Sequence, residues 1–462
     1  MTTPTRAQAR PTADTRPIPS LPRVIQPIHG DYDDARSAWN LAADQRPAGV
    51  VEARSVAEVR AAVTLARRLG LRVAAQGTGH RATALPHLGD ALLLKTSLDD
   101  ELRVDVAARR CRVGAGALWG DVVAATAPHG LVPLAGSSPD VGVVGYTLGG
   151  GLSLLGRRHG LAANHVTAIE LVVADGSLVR TDATNEPELF WALRGGSAGL
   201  GVVTAMEFAL HPVEGLYGGT IFWAAEHARE VLRAWAAWSR TAPESITTAA
   251  RLLRLPPLPQ IPEPLRDTPV VAIDGVAVGA PGDGATLVEP LRRIVPAMMD
   301  TWGAIPLQDL TAVHGDPDRP TPIVGHGALV ADLTDEAVEA FLEAAGPESG
   351  STLVSAELRQ LGGAVGRCPD DVGVVGHLDA AFALFAVGIV PAEEARRAAT
   401  GHVDRLIDAM APWGTGRDFL NFTDRPGLAE RVHGRVTAAR LAEIRRAWDP
   451  ERRFVVSHAM DD

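Results

Sequence analysis

Two cysteines, Cys111 and Cys368, are all that the 462 residues contain. They form no CxxC pair and no disulfide framework, which excludes a stapled secreted scaffold and thiol-based zinc or redox motifs. Lysine is scarcer still, since Lys95 stands alone and arginine supplies the rest of the positive charge. Beside so much alanine and glycine, that scarcity carries no functional weight. Lys plus Arg total 44 against 55 Asp plus Glu, a net charge of −11. A chain this acidic lacks the basic face that nucleic acid or an anionic membrane requires, so neither is expected as a partner. Long hydrophobic runs are missing too. The longest, "AAFALFAVGIV" from Ala380 to Val390, closes on Pro391 and is too short to span a bilayer. The first twenty residues have no apolar stretch of the secretory type, and a cytoplasmic protein is expected. Fourteen histidines include no HExxH or similar helical pair, so no catalytic metal is expected.

What is present is a globular composition, 46% hydrophobic and 21% charged, in a chain too long for one ordinary core. "VVEAR" reads as a strand, and Ser55 with Glu58 forms a capping box for a helix whose apolar face is Val56, Val59, Val63, Ala66 and Leu69. Gly70 ends it, and "LRVAAQ" follows as a second strand. "ALLLK" and "RCRVGAG" are further strands, "ALWGDVVAATAPHG" is a short helix, "AIELVVADG" with "SLVRT" is a hairpin, and "GVVTAMEFAL" is another strand. After residue 212 the glycine density falls. Helices at "REVLRAWAAWSRTA", "TDEAVEAFLEAAG" and "EEARRAATGHVDRLIDAMAPW" alternate with strands such as "AELRQLGG", which describes a sheet with one face covered by helices.

Three glycine clusters fall within the first part, each beside a strand: "QGTGHRA", "AGSSPDVGVVGYTLGGGLSLLGRRHGL" and "LFWALRGGSAGLGVVTAMEF". Gly77-Thr-Gly79-His-Arg-Ala82 formally matches the GxGxxA dinucleotide fingerprint, but no helix follows it to meet a pyrophosphate. Three such clusters favour a large phosphate-bearing ligand, because glycine lets backbone N–H groups converge on anionic oxygens. A loop histidine with no metal partner, His80, then suits a covalent tether or a proton shuttle.

In this order the motifs resemble the FAD-linked oxidases of the vanillyl-alcohol oxidase superfamily, in the branch similar to berberine bridge enzyme. "GTGH" looks like the flavin-attachment loop, "VGVVGYTLGGGLSLLGRRHGLAAN" like the long glycine signature, "ELFWALRGGSAGLGVVT" like the adenine-side loop, "LRQLGGAV" like the substrate-domain strand and "WDPERRF" like the terminal motif. The resemblance implies FAD covalently attached through His80, within a loop of Gln76, Gly77, Thr78, Gly79, His80 and Arg81. It places Ser137, Ser138, Val141, Gly142, Gly145, Tyr146, Gly149 and Gly151 along the cofactor, completed by Gly201, Val203 and Asn421.

The chain also departs from that pattern. Ser138 stands where many relatives carry a second, cysteinyl flavin bond, so one covalent bond is expected. Val141 leans towards oxygen as electron acceptor. Phe419 replaces the tyrosine that acts as base in sugar-oxidising relatives, leaving that role open. His165, Ser457 and His458 occupy positions that relatives tend to fill with asparagine. The alternative base is Glu357, with Arg359 two residues on and hence on the same strand face; burial would raise the Glu357 pKa. His377 and Asp379 share a face in the same way, and His377 is the third catalytic candidate. His314, His326 and Trp223 are weaker candidates.

The expected fold is α+β: a two-subdomain FAD-binding domain with an inserted antiparallel-sheet substrate domain covered by helices. Its parts are a flexible arm (1–29), the FAD-binding domain (30–212), the substrate domain (213–410) and a segment returning to the FAD-binding domain (411–462). The expected reaction is oxidation of a small-molecule alcohol or amine, with O2 as partner and secondary metabolism as setting. A flavin dehydrogenase using another acceptor, a flavin binder without turnover and a nicotinamide dehydrogenase are the alternatives. Substrate identity and oligomeric state stay open.

Overall fold

The structure, a computed structural model, describes residues 22–85, 87–197 and 199–459, so most of the expected arm lies outside the described residues. Structure begins earlier than residue 30. Ile25 is buried and exchanges two backbone hydrogen bonds of 2.8 Å with Val50. Strands Gly49–Ala53, Arg72–Gln76 and Ala91–Thr96 form a three-stranded parallel sheet with the last in the centre. The helix Val56–Leu69 makes the crossover. Its start is the capping box: Ser55 Oγ accepts from Glu58 N–H at 3.3 Å, and the Glu58 carboxylate accepts from Arg54 N–H at 2.7 Å. Gly70 stops it in the left-handed conformation, φ 70°, with its N–H returned to the Ala66 and Arg67 carbonyls. Val59, Ala62, Val63 and Ala66 bury against Val51, Leu92 and Leu94.

A second, antiparallel sheet has five strands in the order Leu102–Asp105, Arg110–Gly114, Val202–Ala209, Val166–Val172, Leu178–Asp182. The expected hairpin is its last pair. Trp119, Val122, Phe190 and Met206 fill the core behind it.

The largest sheet has eight strands, all antiparallel. From one edge its long strands run Leu216–Ala224, Pro269–Val278, Ile246–Arg254, Ser355–Gln360, Phe382–Ile389, Ile323–Val330. Side chains alternate across it. Ile221 and Trp223, Ala250 and Leu252, Ile273, Leu358 and Leu384 face the helices Ala228–Ser239, Pro281–Arg292, Asp335–Ala345 and Glu393–Met410. The opposite face, with Phe222, Arg251, Leu253, Glu357, Arg359 and Phe385, looks into a cavity towards the first two sheets. Trp223 is therefore core: it is fully buried and its indole N–H donates to the Val295 carbonyl at 3.0 Å.

After the last of these helices the chain returns. Helix Arg435–Trp448 buries Leu441 and Ile444 against Leu189 and Leu193. Val73 then donates to the Arg453 carbonyl at 2.7 Å and accepts from Val455 N–H at 2.9 Å, stitching the terminal segment onto the parallel sheet. Among the described residues no helix is long and apolar enough to cross a membrane.

Candidate active site

The cavity where the three sheets meet measures about 1240 Å³. That exceeds the roughly 300–1,000 Å³ of an ordinary small-molecule site, leaving room for a cofactor together with a substrate.

On one side the loop after strand Arg72–Gln76 enters it. Gly79 has φ 87°, and a Cβ there would meet Ala38 Cβ at 2.8 Å and Gln76 Nε2 at 2.9 Å, so only glycine fits. The turn is held by Trp39 N–H donating to the Thr78 carbonyl at 2.9 Å. His80 stacks on Trp39, ring centroids 4.0 Å apart and planes at 16°. Its Nδ1 lies 2.9 Å from Thr78 Oγ1, and its Nε2 is 3.4 Å from Asp140 Oδ1, too poorly aligned for a hydrogen bond. Asp140 also accepts from Ser138 Oγ at 2.7 Å and from the Trp39 indole N–H. Burial pushes the Asp140 carboxyl up, but its contacts with His80, Ser138 and Trp39 more than reverse this and hold it below the ordinary range. Ser138 thus supplies a hydroxyl that orients the carboxylate facing His80.

The remaining residues of this loop, Gln76, Gly77, Thr78 and Arg81, line the same cavity. So do Ser137, Val141, Gly142, Gly145 and Tyr146 from the second glycine cluster, Gly201 and Val203 from the third, and Asn421. Gly149 and Gly151 do not reach it. They pack beneath Asn421, which accepts from Gly151 N–H at 3.1 Å and donates to the Tyr146 carbonyl at 3.0 Å. Both Gln76 amide atoms and Arg81 NH2 are buried without a hydrogen-bond partner. Such orphans in a glycine-lined cavity fit a polar cofactor that supplies the missing partners.

The opposite wall is the large sheet. Glu357 and Arg359 do share a face, and both are almost completely buried. Glu357 accepts from Arg359 Nε at 2.6 Å and lies 3.1 Å from His314 Nε2. His314 Nδ1 lies 2.8 Å from Asp274 Oδ1, and Asp274 pairs with Arg251 at 2.7 Å. Asp316 accepts from Ser137 Oγ at 2.8 Å and stands 3.8 Å from His314 Nε2. Burial and Arg251 press His314 down, yet Asp274, Asp316 and Glu357 outweigh them and raise it to about 9. The expectation for Glu357 is corrected. Burial does push it up, but Arg359 and His314 win and hold the carboxylate well below its usual range. It is a fixed negative charge.

A different carboxyl has the properties expected of Glu357. Asp424 lines the cavity, is 7% exposed, and its carboxylate makes no hydrogen bond or ion pair among the described residues. Burial raises it to about 7, against the opposing pull of Arg81 and Arg425. Its loop lies on the sheet because residues 325 and 327 are glycine. A Cβ at Gly325 would meet Asp424 Oδ2 at 3.0 Å, and one at Gly327 would meet Phe422 Cβ at 3.0 Å. Arg81 Nε and Thr83 Oγ1 donate to the Thr423 and Asp424 carbonyls at 2.9 and 2.8 Å, zipping this loop to the histidine loop.

His377 is not brought to the site. It is exposed in an irregular segment before strand Phe382–Ile389 and lines no part of the cavity, as does Asp379. His326, on strand Ile323–Val330, also lies off the cavity. His165 packs edge-on against His211 at 4.7 Å. Ser457 lines the cavity, whereas His458 pairs with Gly427 outside it.

The sequence profile of the FAD binding domain family matches residues 47–182. Over that stretch, which holds the parallel sheet and the His80 loop, the chain is similar to an FAD binding domain. It is 31% identical over 209 residues to (R)-6-hydroxynicotine oxidase of Paenarthrobacter nicotinovorans, covering 45% of this chain and 46% of that one. The match therefore spans just under half of that relative's length. In fold, the chain superposes on berberine-bridge-enzyme-like 1 of Physcomitrella patens with a TM-score of 0.83 at 20% identity, covering 95% and 97% of the two chains. Glucooligosaccharide oxidase of Acremonium strictum, described with a 6-S-cysteinyl, 8α-N1-histidyl FAD, gives a TM-score of 0.79 at 21% identity, over 95% and 97%.

Proposed function

We propose that the protein is an FAD-dependent oxidase that removes two electrons from a small-molecule alcohol or amine in secondary metabolism. The observation that carries this reading is one cavity with two unlike walls: glycine loops with unpartnered buried polar atoms around His80, and a sheet face bearing buried acids and bases. When bound, FAD would take up hydride from the substrate carbon and pass the electrons to O2, giving H2O2. Val141 beside the histidine loop suits an oxygen-reactive site.

The chain's own residues supply attachment, orientation and proton transfer. Asp140, held charged by Ser138 and Trp39, faces the His80 ring that Trp39 and Thr78 hold in place for a single covalent bond. A histidyl link of this kind is named for the Acremonium enzyme. Gln76 and Arg81 hold polar groups of the cofactor. Glu357 and Arg359 present fixed polar contacts that orient the substrate. Asp424 takes the substrate proton, since a carboxyl titrating near neutrality is charged when needed and basic enough to accept.

The visible spectrum of the purified protein, read again on its acid-precipitated pellet, tests the reading together with peroxide release on a panel of alcohols and amines. Flavin absorbance in the pellet and peroxide from at least one substrate are expected. A colourless protein that FAD does not reconstitute would return the nicotinamide alternative. A flavoprotein reduced quickly by a substrate but releasing no peroxide would be a dehydrogenase.

A further inference from the structure

The sheet wall changes character along its own strands. Two residues beyond Arg251 on the same face stands Leu253, and two beyond that Leu255. With Phe222, Ile261, Leu265 and Met299 these form a continuous apolar wall of the cavity, next to the polar network. Leu265 and Leu253 are buried, whereas Phe222, Leu255, Ile261 and Met299 are half-buried, so part of their apolar surface faces open space. The segment carrying Ile261 folds over this wall. It is held by Arg266, which donates to the Ile261 carbonyl at 2.7 Å and the Pro259 carbonyl at 2.9 Å, and it leaves Leu258 38% exposed at the rim.

The polar end of the cavity is internally balanced. Three cations, Arg251, His314 and Arg359, face three carboxylates, Asp274, Glu357 and Asp316, and each is within 4 Å of an opposite charge. Within this network no charge is left over to neutralise a charged group docked against Glu357 and Arg359, and an uncompensated ion there is costly. A hydroxyl can still join the network by accepting a hydrogen bond from the Arg359 guanidinium. A sugar fits poorly, because its many hydroxyls would meet the apolar wall without partners.

Resting on the oxidase reading, we infer that the substrate is an uncharged alcohol with an apolar body, its hydroxyl at the Glu357–Arg359 end and its hydrocarbon on the wall from Phe222 to Met299. Isothermal titration calorimetry of the flavin-loaded protein tests this with n-alkanols from ethanol to hexanol, the matching n-alkylamines at pH 7, and cellobiose. The Kd falls about fourfold for each added methylene in the alkanol series. Each amine binds at least about tenfold more weakly than the alcohol of its length, and cellobiose does not bind. In the double variant Leu255→Gln with Met299→Gln, two half-buried positions, the gain per methylene shrinks while the flavin spectrum is unchanged. A Kd independent of chain length, no alkanol binding, tighter amines, or cellobiose binding as well as hexanol would each overturn the inference. Absence of flavin is a separate outcome that sinks the oxidase reading, because calorimetry does not depend on the chromophore.

Discussion

On the histidine-loop wall, Gln76 and Arg81 keep buried polar atoms with no partner; across the cavity, Glu357, Arg359 and His314 are paired with one another. Unpaired buried groups cost stability until a ligand supplies what they lack. Paired ones are stable alone and offer a ligand only geometry. The first wall therefore gains most from a polar guest that supplies the missing partners, whereas the second needs no guest to be satisfied.

The largest expected break in that contrast is His80→Ala, which takes acid-stable flavin from full occupancy to none, read as absorbance in the washed pellet. Asp424→Asn comes next. Turnover on an active substrate falls by about 10²–10⁴. In the parent, activity rises with pH through about 7 as the Asp424 carboxyl loses its proton, and that limb disappears in the variant. Retention of the limb would assign the proton to another group. On the stability side, Glu357→Ala strands Arg359 in the interior and costs about 3–5 kcal/mol in urea unfolding. Gln76→Leu in flavin-free protein sharpens the contrast from the other wall, costing less than about 1 kcal/mol because it removes a group already unpaired.

Acid and alkali should attack different parts of the molecule. His159 and His211, with ring centroids 4.1 Å apart and planes tilted by 34°, are pushed down by burial to about 4 and about 3. Their folded forms refuse protons that the unfolded chain accepts, so stability is lost as pH falls from about 6.5 towards those values. His314, raised to about 9, contributes stability that is complete below about pH 6.5 and lost as pH rises through 9. Melting temperatures across pH measure both limbs. His211→Phe should flatten the acid limb and His314→Gln the alkaline one.

Contiguous features were legible in the sequence, and assembled ones were not. The Ser55–Glu58 cap, the glycine loops and the His80 loop are each encoded in a few neighbouring residues, so local chemistry identifies them. Leu216–Ala224, Ile246–Arg254, Pro269–Val278 and Ile323–Val330 escaped notice as strands. In Pro269–Val278, every residue after the first is buried, which erases the alternation that marks a strand. Asp274 meets both Arg251 and His314 only because strand order and the loop after residue 312 bring them together, and spacing could not reveal it. Glu357 and Arg359 were found by alternation, but the sign of the Glu357 pKa was set by Arg359 together with His314, far away in the chain. The same alternation misled at His377, where His-Leu-Asp is irregular. Asp424 sat three residues beyond Asn421 in a motif read only for its missing tyrosine.

The backbone bonds between Val73 and the Arg453–Val455 segment set an order of events during synthesis. The strand that presents the histidine loop is made early, but its last hydrogen-bonding neighbour, like the Asp424 loop, follows only after the whole of the large sheet. A nascent chain halted before Asp418 would hold His80 in a half-built cleft open to water. The returning segment is thus the latch without which the cavity has no finished wall.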